Sequence, residues 1–434
     1  MAQIFSRLYA RADARDPYTR WNFGVIVTEA ALFMSGLAWI EPSTVLPLFI
    51  GHLTRSTVIV GLITLLQRLG WLLPSVFMAA VLGHRPHRLP WLRWPVLLGR
   101  LPLLGFVLYL WLFGVERAAL TIWLMVFSLF AISLGNGLLS IPWQDIIAKS
   151  IPSQLRGRFF GAMQFCAAVA TFAVGFVVRW MLGPAGPGYP RDYTLLFTLM
   201  GVFMALSALG CWLVREPLRP VLDRPQPLRE ILLGALPTAR ANPAFRCLVL
   251  VSLFGFGVSF AMPFYMVFAK QRLAVPEHIA GLYIWTMTLG SATASLWWAH
   301  LNDRRGPRAV LRGASLLITA TPLLALALLG LSVAAPNARG IAHLFSLVFL
   351  VGGCAMGGTW MGATNYLFEL ASDRDRPRYI ASMNLLSSPG ALVPLLIGWL
   401  LGFLPFPIVF ALMAGSGATA AAISLRMPIP RPTG

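Results

Sequence analysis

GLITLLQRLGWLLPSVFMAAVLGHRPHR, residues Gly61–Arg88, and GLYIWTMTLGSATASLWWAHLNDRRGPR, residues Gly281–Arg308, fall into register at a constant offset of 220 positions. Gly61 then meets Gly281, Leu62 meets Leu282, Gly70 meets Gly290 and Ser75 meets Ser295, while Arg85 and Arg88 meet Arg305 and Arg308. The same offset lays Arg156-Gly157-Arg158-Phe159 over Arg376-Pro377-Arg378-Tyr379, and Met163-Gln164 over Met383-Asn384. A chain of 434 residues that repeats at about half its length holds two copies of one unit. In an apolar chain, such a repeat points to a carrier built from two halves.

Apolar residues make up 58% of the chain and charged residues 11%, whereas a soluble domain carries about 25% charged residues. Apolar runs of roughly 20 residues, enough to cross a bilayer, recur throughout. Twelve spans are expected near 24–50, 57–82, 95–114, 118–143, 158–181, 193–214, 246–269, 278–301, 309–331, 341–367, 379–402 and 405–425. A lipid-facing backbone must bond to itself, so the spans are helices, and the ten-residue alternation of a β-barrel is missing. The expected fold is an all-α polytopic membrane protein with 12 transmembrane helices in two pseudo-symmetric six-helix bundles, 1–214 and 246–434. A proline- and arginine-rich linker, 215–245, joins them, and 228–239 within it suits a short interfacial helix. Prolines 42, 74, 102, 142, 263, 322, 389 and 394 predict kinks within the spans.

A net charge of +19 invites a nucleic-acid partner, but placing the charges removes that reading. With the N-terminus in the cytoplasm, the tails and inner loops hold 25 of the 34 basic residues and the outer loops only six. The positive-inside rule then sets both termini in the cytoplasm, in the inner cell membrane, without any polyanionic partner. The basic N-terminal tail precedes an apolar run that is too long for a signal peptide and is interrupted by Glu29 and Glu41, so it reads as the first span. Cys166, Cys211, Cys247 and Cys354 stand apart in or beside spans and fit neither disulfides nor a metal site. The six histidines are scattered, so no metal and no cofactor are expected, and a monomer is the expected state.

Leu301-Asn302-Asp303-Arg304-Arg305-Gly306-Pro307-Arg308, at the cytoplasmic end of the eighth span, resembles the signature of the major facilitator superfamily. Ala299 stands for the usual first glycine and Pro307 for one of the basic residues. Gly306 suits a positive φ in a tight turn, Asp303 suits a neighbouring helix N-terminus, and Arg304 and Arg308 suit an acid such as Glu369. The first-half copy departs from the pattern, with Gly83, His84 and Pro86 at the key places; Asp145 remains as a partner for Arg85 or Arg88. Ile151–Gly161 resembles the Arg-Gly-Arg loop common in that superfamily, carrying Arg156 and Arg158. The resemblance implies twelve helices working as a secondary transporter, with these residues forming a cytoplasmic gate.

Ionisable residues at bilayer depth are functional candidates by default. Glu41 lies about nine residues from the outer end of the first span, roughly 13 Å deep at about 1.5 Å per residue. Arg68 lies comparably deep in the second span, so the two are expected to meet as a central pair. Thr57, Thr64, Arg68 and Ser75 share one helical face, and Thr288 and Ser295 repeat it in the eighth span. Glu41 is the candidate proton carrier, with Arg68 tuning it or holding an anionic substrate group. The weaker substrate-cavity candidates are Trp39, Thr64, Gln67, Asn136, Gln164, Tyr265, Trp285, Thr288, Trp360 and Asn384. Glu29 and Arg100 are expected to form an ion pair nearer the cytoplasmic end.

The function expected is alternating-access transport of a small organic solute, proton-coupled as the first choice and uniport as the second. A nucleotide-binding Gly-rich loop with Lys-Ser/Thr is missing, which argues against ATP drive. A polytopic enzyme acting on lipid is the alternative of a different class, but it gives the internal repeat no reason to exist. A receptor on a carrier fold is the third option.

Overall fold

The computed structural model describes residues 18–82, 87–217, 228–259, 261–334, 340–371 and 376–429. Within them the chain forms α1 (Thr19–Trp39), α2 (Val45–Leu53), α3 (Thr57–Leu82), α4 (Leu89–Phe113), α5 (Ala118–Ser150), α6 (Ser153–Met181) and α7 (Arg191–Leu213). It continues through α8 (Leu228–Ala241), α9 (Pro243–Ser259), α10 (Met262–Arg272), α11 (Ile279–Arg305) and α12 (Pro307–Ala334). The last elements are α13 (Ile341–Leu344), α14 (Ser346–Leu370), α15 (Arg376–Ser387), a 3-10 turn (Ser388–Leu392), α16 (Val393–Leu400) and α17 (Phe406–Arg426). Among the described residues, ten helical stretches are long and apolar enough to cross a membrane. The 27-residue α11 and the α9–α10 pair have the length for two more, so the twelve expected crossings fit.

Two expected spans are interrupted. The first, 24–50, breaks between α1 and α2 at 40–44. Pro42 disfavours a helical Glu41, so α1 ends, and the Glu41 carbonyl accepts the N–H groups of Thr44, Val45 and Leu46 at 3.1, 3.0 and 3.2 Å. The seventh, 246–269, breaks where α9 ends at Ser259 and α10 starts at Met262, with Pro263 in its first turn. These breaks are 220 positions apart, so the repeat extends to the interruption itself. In the eleventh span Pro389 sits in the 3-10 turn and Pro394 opens α16. Pro74, Pro102, Pro142 and Pro322, by contrast, lie inside unbroken helices.

Helix packing repeats as well. In the first group α5 packs on α3 and α4, and in the second α14 packs on α11 and α12, the equivalent elements. The apolar core shows how the groups join. One buried cluster, containing Phe49, Met125 and Phe197 from α1–α7 and Phe268, Tyr283 and Phe349 from α9–α17, runs through both. It occupies the end of the bundle that carries 273–278, the Glu277 end. Toward the opposite end, where Arg88, Asp145 and Glu216 lie, the buried side chains divide. Phe23, Val96, Ile146 and Phe159 pack together in one group, while Phe245, Leu311, Tyr366 and Tyr379 pack separately in the other. The molecule is closed at one end and divided at the other.

Candidate functional site

Two seams hold the closed end together, and glycine makes both possible. On the α3–α16 seam, Thr57 Oγ1 donates to the Gly398 carbonyl at 2.6 Å. A Cβ added to Gly61 would overlap the Pro394 carbonyl oxygen, and one on Gly398 would sit 2.5 Å from the Thr57 carbonyl oxygen. On the α6–α11 seam, a Cβ on Gly281 would lie 2.5 Å from the Gly175 carbonyl oxygen and 2.6 Å from Arg179 Cβ. Trp285 Nε1 donates to the Phe172 carbonyl at 2.9 Å, and the Arg179 guanidinium lies 5.7 Å from the Trp285 ring centre. Gly61 and Gly281 are repeat partners, so the 220-residue offset read in the sequence is a pair of backbone-close contacts in space.

A charged clasp lies over the seams. Glu277, in the connection before α11, accepts from Lys270 Nζ at 2.8 Å and from Tyr193 Oη at 2.8 Å, and lies 2.9 Å from His52 Nε2. His52 and Tyr193 come from α2 and α7, and Lys270 comes from α10, so both helix groups meet on one carboxylate. The Tyr189 ring stacks on His52 at 4.2 Å. Burial pushes the Glu277 carboxyl up, but the hydrogen bonds from His52, Lys270 and Tyr193 outweigh it and hold the group down at about 2. The sequence reading missed these residues. Glu277 lies in a short Pro-Glu-His loop, and His52 and Lys270 read only as span-end polar residues.

At the centre, the side chain of Glu41 is half-buried in the α1–α2 break, with its Oε1 3.4 Å from the Ser43 N–H. Arg68 is also half-buried. No ion pair joins the two among the described residues; Arg68 keeps a contact elsewhere. Thr57 meets Gly398 and Gly61 meets Pro394, so the same antiparallel register puts Arg68 level with Ser387, beside the 3-10 turn that packs on α3.

The cavity candidates divide by what they touch. Trp39 packs edge-on against Phe203 and Tyr265 lies tilted against Phe410, so both face partners in their own group. Asn136 is buried and accepts from Arg100 Nη1 at 2.8 Å. Trp285 lies on a seam. Thr64 donates to the Val60 carbonyl, and Gln67, Thr288 and Asn384 are half-buried. Gln164 and Trp360 are exposed. Glu29 and Arg100 are both buried, yet they do not touch: Glu29 accepts from Ser207 Oγ at 2.8 Å, and Arg100 lies over the Phe33 ring at 5.4 Å. In place of the expected ion pair, Glu29 is bonded from α1 to α7 and Arg100 from α4 to α5, by separate hydrogen bonds.

At the divided end, Arg88 Nε binds Asp145 at 2.9 Å, and Lys149 binds Asp145 at 2.9 Å and Glu216 at 3.2 Å. Glu216 also accepts the backbone N–H groups of Arg88 and Leu89 at 2.8 and 3.0 Å, which caps α4 at its positive end. Arg156 donates to the Ile151 and Ala148 carbonyls, closing the end of α5. Arg158 is exposed, and Arg85 lies outside the described residues. On the second group Gly306 takes φ +73°. Asp303, Arg304 and Glu369 are exposed and Arg308 half-buried, with no ion pair among the described residues. No group of three or more potential metal ligands occurs among the described residues.

Paired helix bundles with broken first helices and glycine seams define a polytopic helical membrane protein. Residues 267–434 match the family model of the Major Facilitator Superfamily. That match covers less than half of the chain. An uncharacterized MFS-type transporter of Bacillus subtilis (strain 168), YfiS, is 31% identical over 101 residues, 23% of this chain. The match spans only 20% of that relative's length. Among solved structures, a point mutant of the nucleoside transporter NupG has a TM-score of 0.67 at 14% identity, over 94% of this chain and 99% of that one. A D-xylose-proton symporter has 0.65 at 16% identity, over 94% and 98%. A bacterial homologue of the iron transporter ferroportin has 0.64 at 15% identity in its inward-facing state, over 94% and 98%. Its outward-facing state has 0.58 at 14% identity, over 94% and 99%.

Proposed function

We propose that the chain is a secondary carrier of a small organic solute that works by alternating access, its two six-helix bodies (1–214 and 246–434) rocking about the centre at Glu41. One observation carries the reading: the buried core is continuous at the Glu277 end and divided at the other. The positive-inside loops support a cytoplasmic side for the divided end and both termini, and with that orientation the arrangement reads as the inward-open state. The better match to the inward-facing than to the outward-facing ferroportin homologue supports that assignment. The similar structures include a nucleoside transporter, a D-xylose-proton symporter and a bacterial homologue of an iron transporter. At such low identities that spread leaves the solute open.

Proton coupling is assigned to Glu41. It sits in a helix break, the kind of discontinuous helix that forms coupling-ion sites in carriers, and an ionisable residue at that depth is a functional candidate by default. Its role does not need Arg68 as a direct partner. The test is a stabilisation screen of the purified protein against metabolites at two pH values, wild type beside Glu41→Gln, since a ligand that binds the folded state raises its unfolding temperature. A ligand whose effect depends on pH in wild type and not in the variant supports the carrier role. Equal behaviour in both would make Glu41 structural and favour uniport.

A further inference from the structure

A cavity of about 510 Å³ opens on the seam at the Glu277 end, apart from the Glu41 centre. Thr54, Arg55, Ser56 and Thr57 line it from the first helix group, and Lys270 and Glu277 from the second. The Glu277 carboxylate faces the cavity but is already held by His52, Lys270 and Tyr193. Lys270 spends one ammonium N–H on it and keeps two. Arg55 is exposed and has no ion-pair partner among the described residues. Counting Arg55, Lys270 and Glu277, the lining carries one uncompensated positive charge even with His52 neutral.

Hydroxyls complete the donor set. Thr54 Oγ1 accepts the Ser56 N–H at 3.1 Å, which fixes the loop and leaves its own O–H to donate; the Ser56 O–H is exposed beside it. A planar guanidinium, an ammonium and two hydroxyls around one space suit an anion with several oxygens on one centre. We propose that this cavity binds a phosphate-bearing anion that spans the seam between the two helix groups. Because its walls come from both groups, the bound anion favours the closed Glu277 end over any state in which that end separates. The inference rests on the closed end alone and stands or falls apart from the carrier reading.

Two sources share this chemistry, a soluble phosphate compound and an anionic lipid headgroup, and the test separates them. The protein is placed in phosphatidylcholine nanodiscs and its unfolding temperature is followed against inorganic phosphate and glycerol phosphate, with chloride at matched ionic strength as the reference. Wild type is expected to show a saturable rise with phosphate, and Arg55→Gln, a change on an exposed loop, to need at least ten-fold more. In phosphatidylglycerol nanodiscs, loss of the phosphate response in wild type names the lipid headgroup as occupant, and an unchanged response names the soluble anion. A linear response no different from chloride, or identical curves for wild type and Arg55→Gln, overturns the site.

Discussion

Each end of the molecule gathers several donors on one half-buried glutamate, and the difference lies in where the donors come from. Glu277 draws His52 and Tyr193 from one helix group and Lys270 from its own. Glu216 takes the Arg88 and Leu89 N–H groups and Lys149, all from the first group. The first arrangement must break for its end to separate, and the second survives any movement of one group against the other. Repeat symmetry does not produce this contrast. The seams are symmetric because Gly61 and Gly281 are repeat partners, but Glu277 corresponds to Thr57 and His52 to Arg272. At the divided end Arg88 has its twin in Arg308, yet Asp145 corresponds to Asn365 and Lys149 to Glu369. Backbone shape was kept in duplicate while charge diverged, so the two ends are held by different means.

The largest expected effect breaks the symmetric part. At Gly398 the obstacle to a Cβ is the Thr57 carbonyl 2.5 Å away, and backbone cannot swing aside as a side chain can. Gly398→Leu should cost about 3 kcal/mol or more, lowering the unfolding temperature by several degrees or driving the Glu277 end apart. Gly161, with no atom within 4 Å of an added Cβ, is the control, and Gly161→Ala should leave the protein unchanged. Equal behaviour of the two variants in a thermal melt would show that the seam is not close-packed.

The charged clusters sharpen the comparison next. Glu216→Gln removes a charge-assisted cap and leaves Lys149 with one acid, at an expected cost of about 1–3 kcal/mol in denaturant unfolding. Asp303→Asn, at an exposed acid on the same end of the second group, should stay within about 0.5 kcal/mol. A large loss for Asp303→Asn would mean that the divided end is tied after all.

Much of this architecture was legible in the sequence, and the residues explain why. Span positions follow from runs of apolar side chains, and Gly61 and Gly281 announced their pairing through the repeat. Pro42 and Pro263 marked the breaks, although sequence alone could not say that Pro42 would end a helix while Pro102 would lie inside one; neighbouring helices decide that. The Arg88–Asp145 contact was within reach because the superfamily pattern singled out both residues. Glu277 and Glu216 were not, since each is a lone acid beside a proline in a connection, and its importance comes from donors 67 to 225 positions away in the chain for His52, Tyr193, Arg88 and Lys149 taken together, or seven for Lys270. Trp39 and Tyr265 misled in the opposite sense. Their depth was readable, but the face of the helix they occupy turns them into their own group.

The finest test of the contrast is the pH dependence of the clasp. With the Glu277 end closed, the carboxyl of Glu277 lies at about 2, against 4.5 for an unperturbed glutamate. A lowered value means that the folded state favours the ionised form, so the stabilisation is complete above about pH 4.5 and is lost as the pH falls toward 2. Other carboxyl groups titrate over the same range, so wild type must be read against Glu277→Gln, whose amide neither ionises there nor holds Lys270 as a charge. The gap in unfolding temperature between the two proteins should be widest at pH 5 and above and should narrow steadily on acidification to pH 3. Asp145 and Glu216 are unaltered in both proteins, so the narrowing belongs to the clasp. A gap that stays constant with pH would mean that shape rather than charge holds Glu277, and the two ends would then differ only in which helix groups they join.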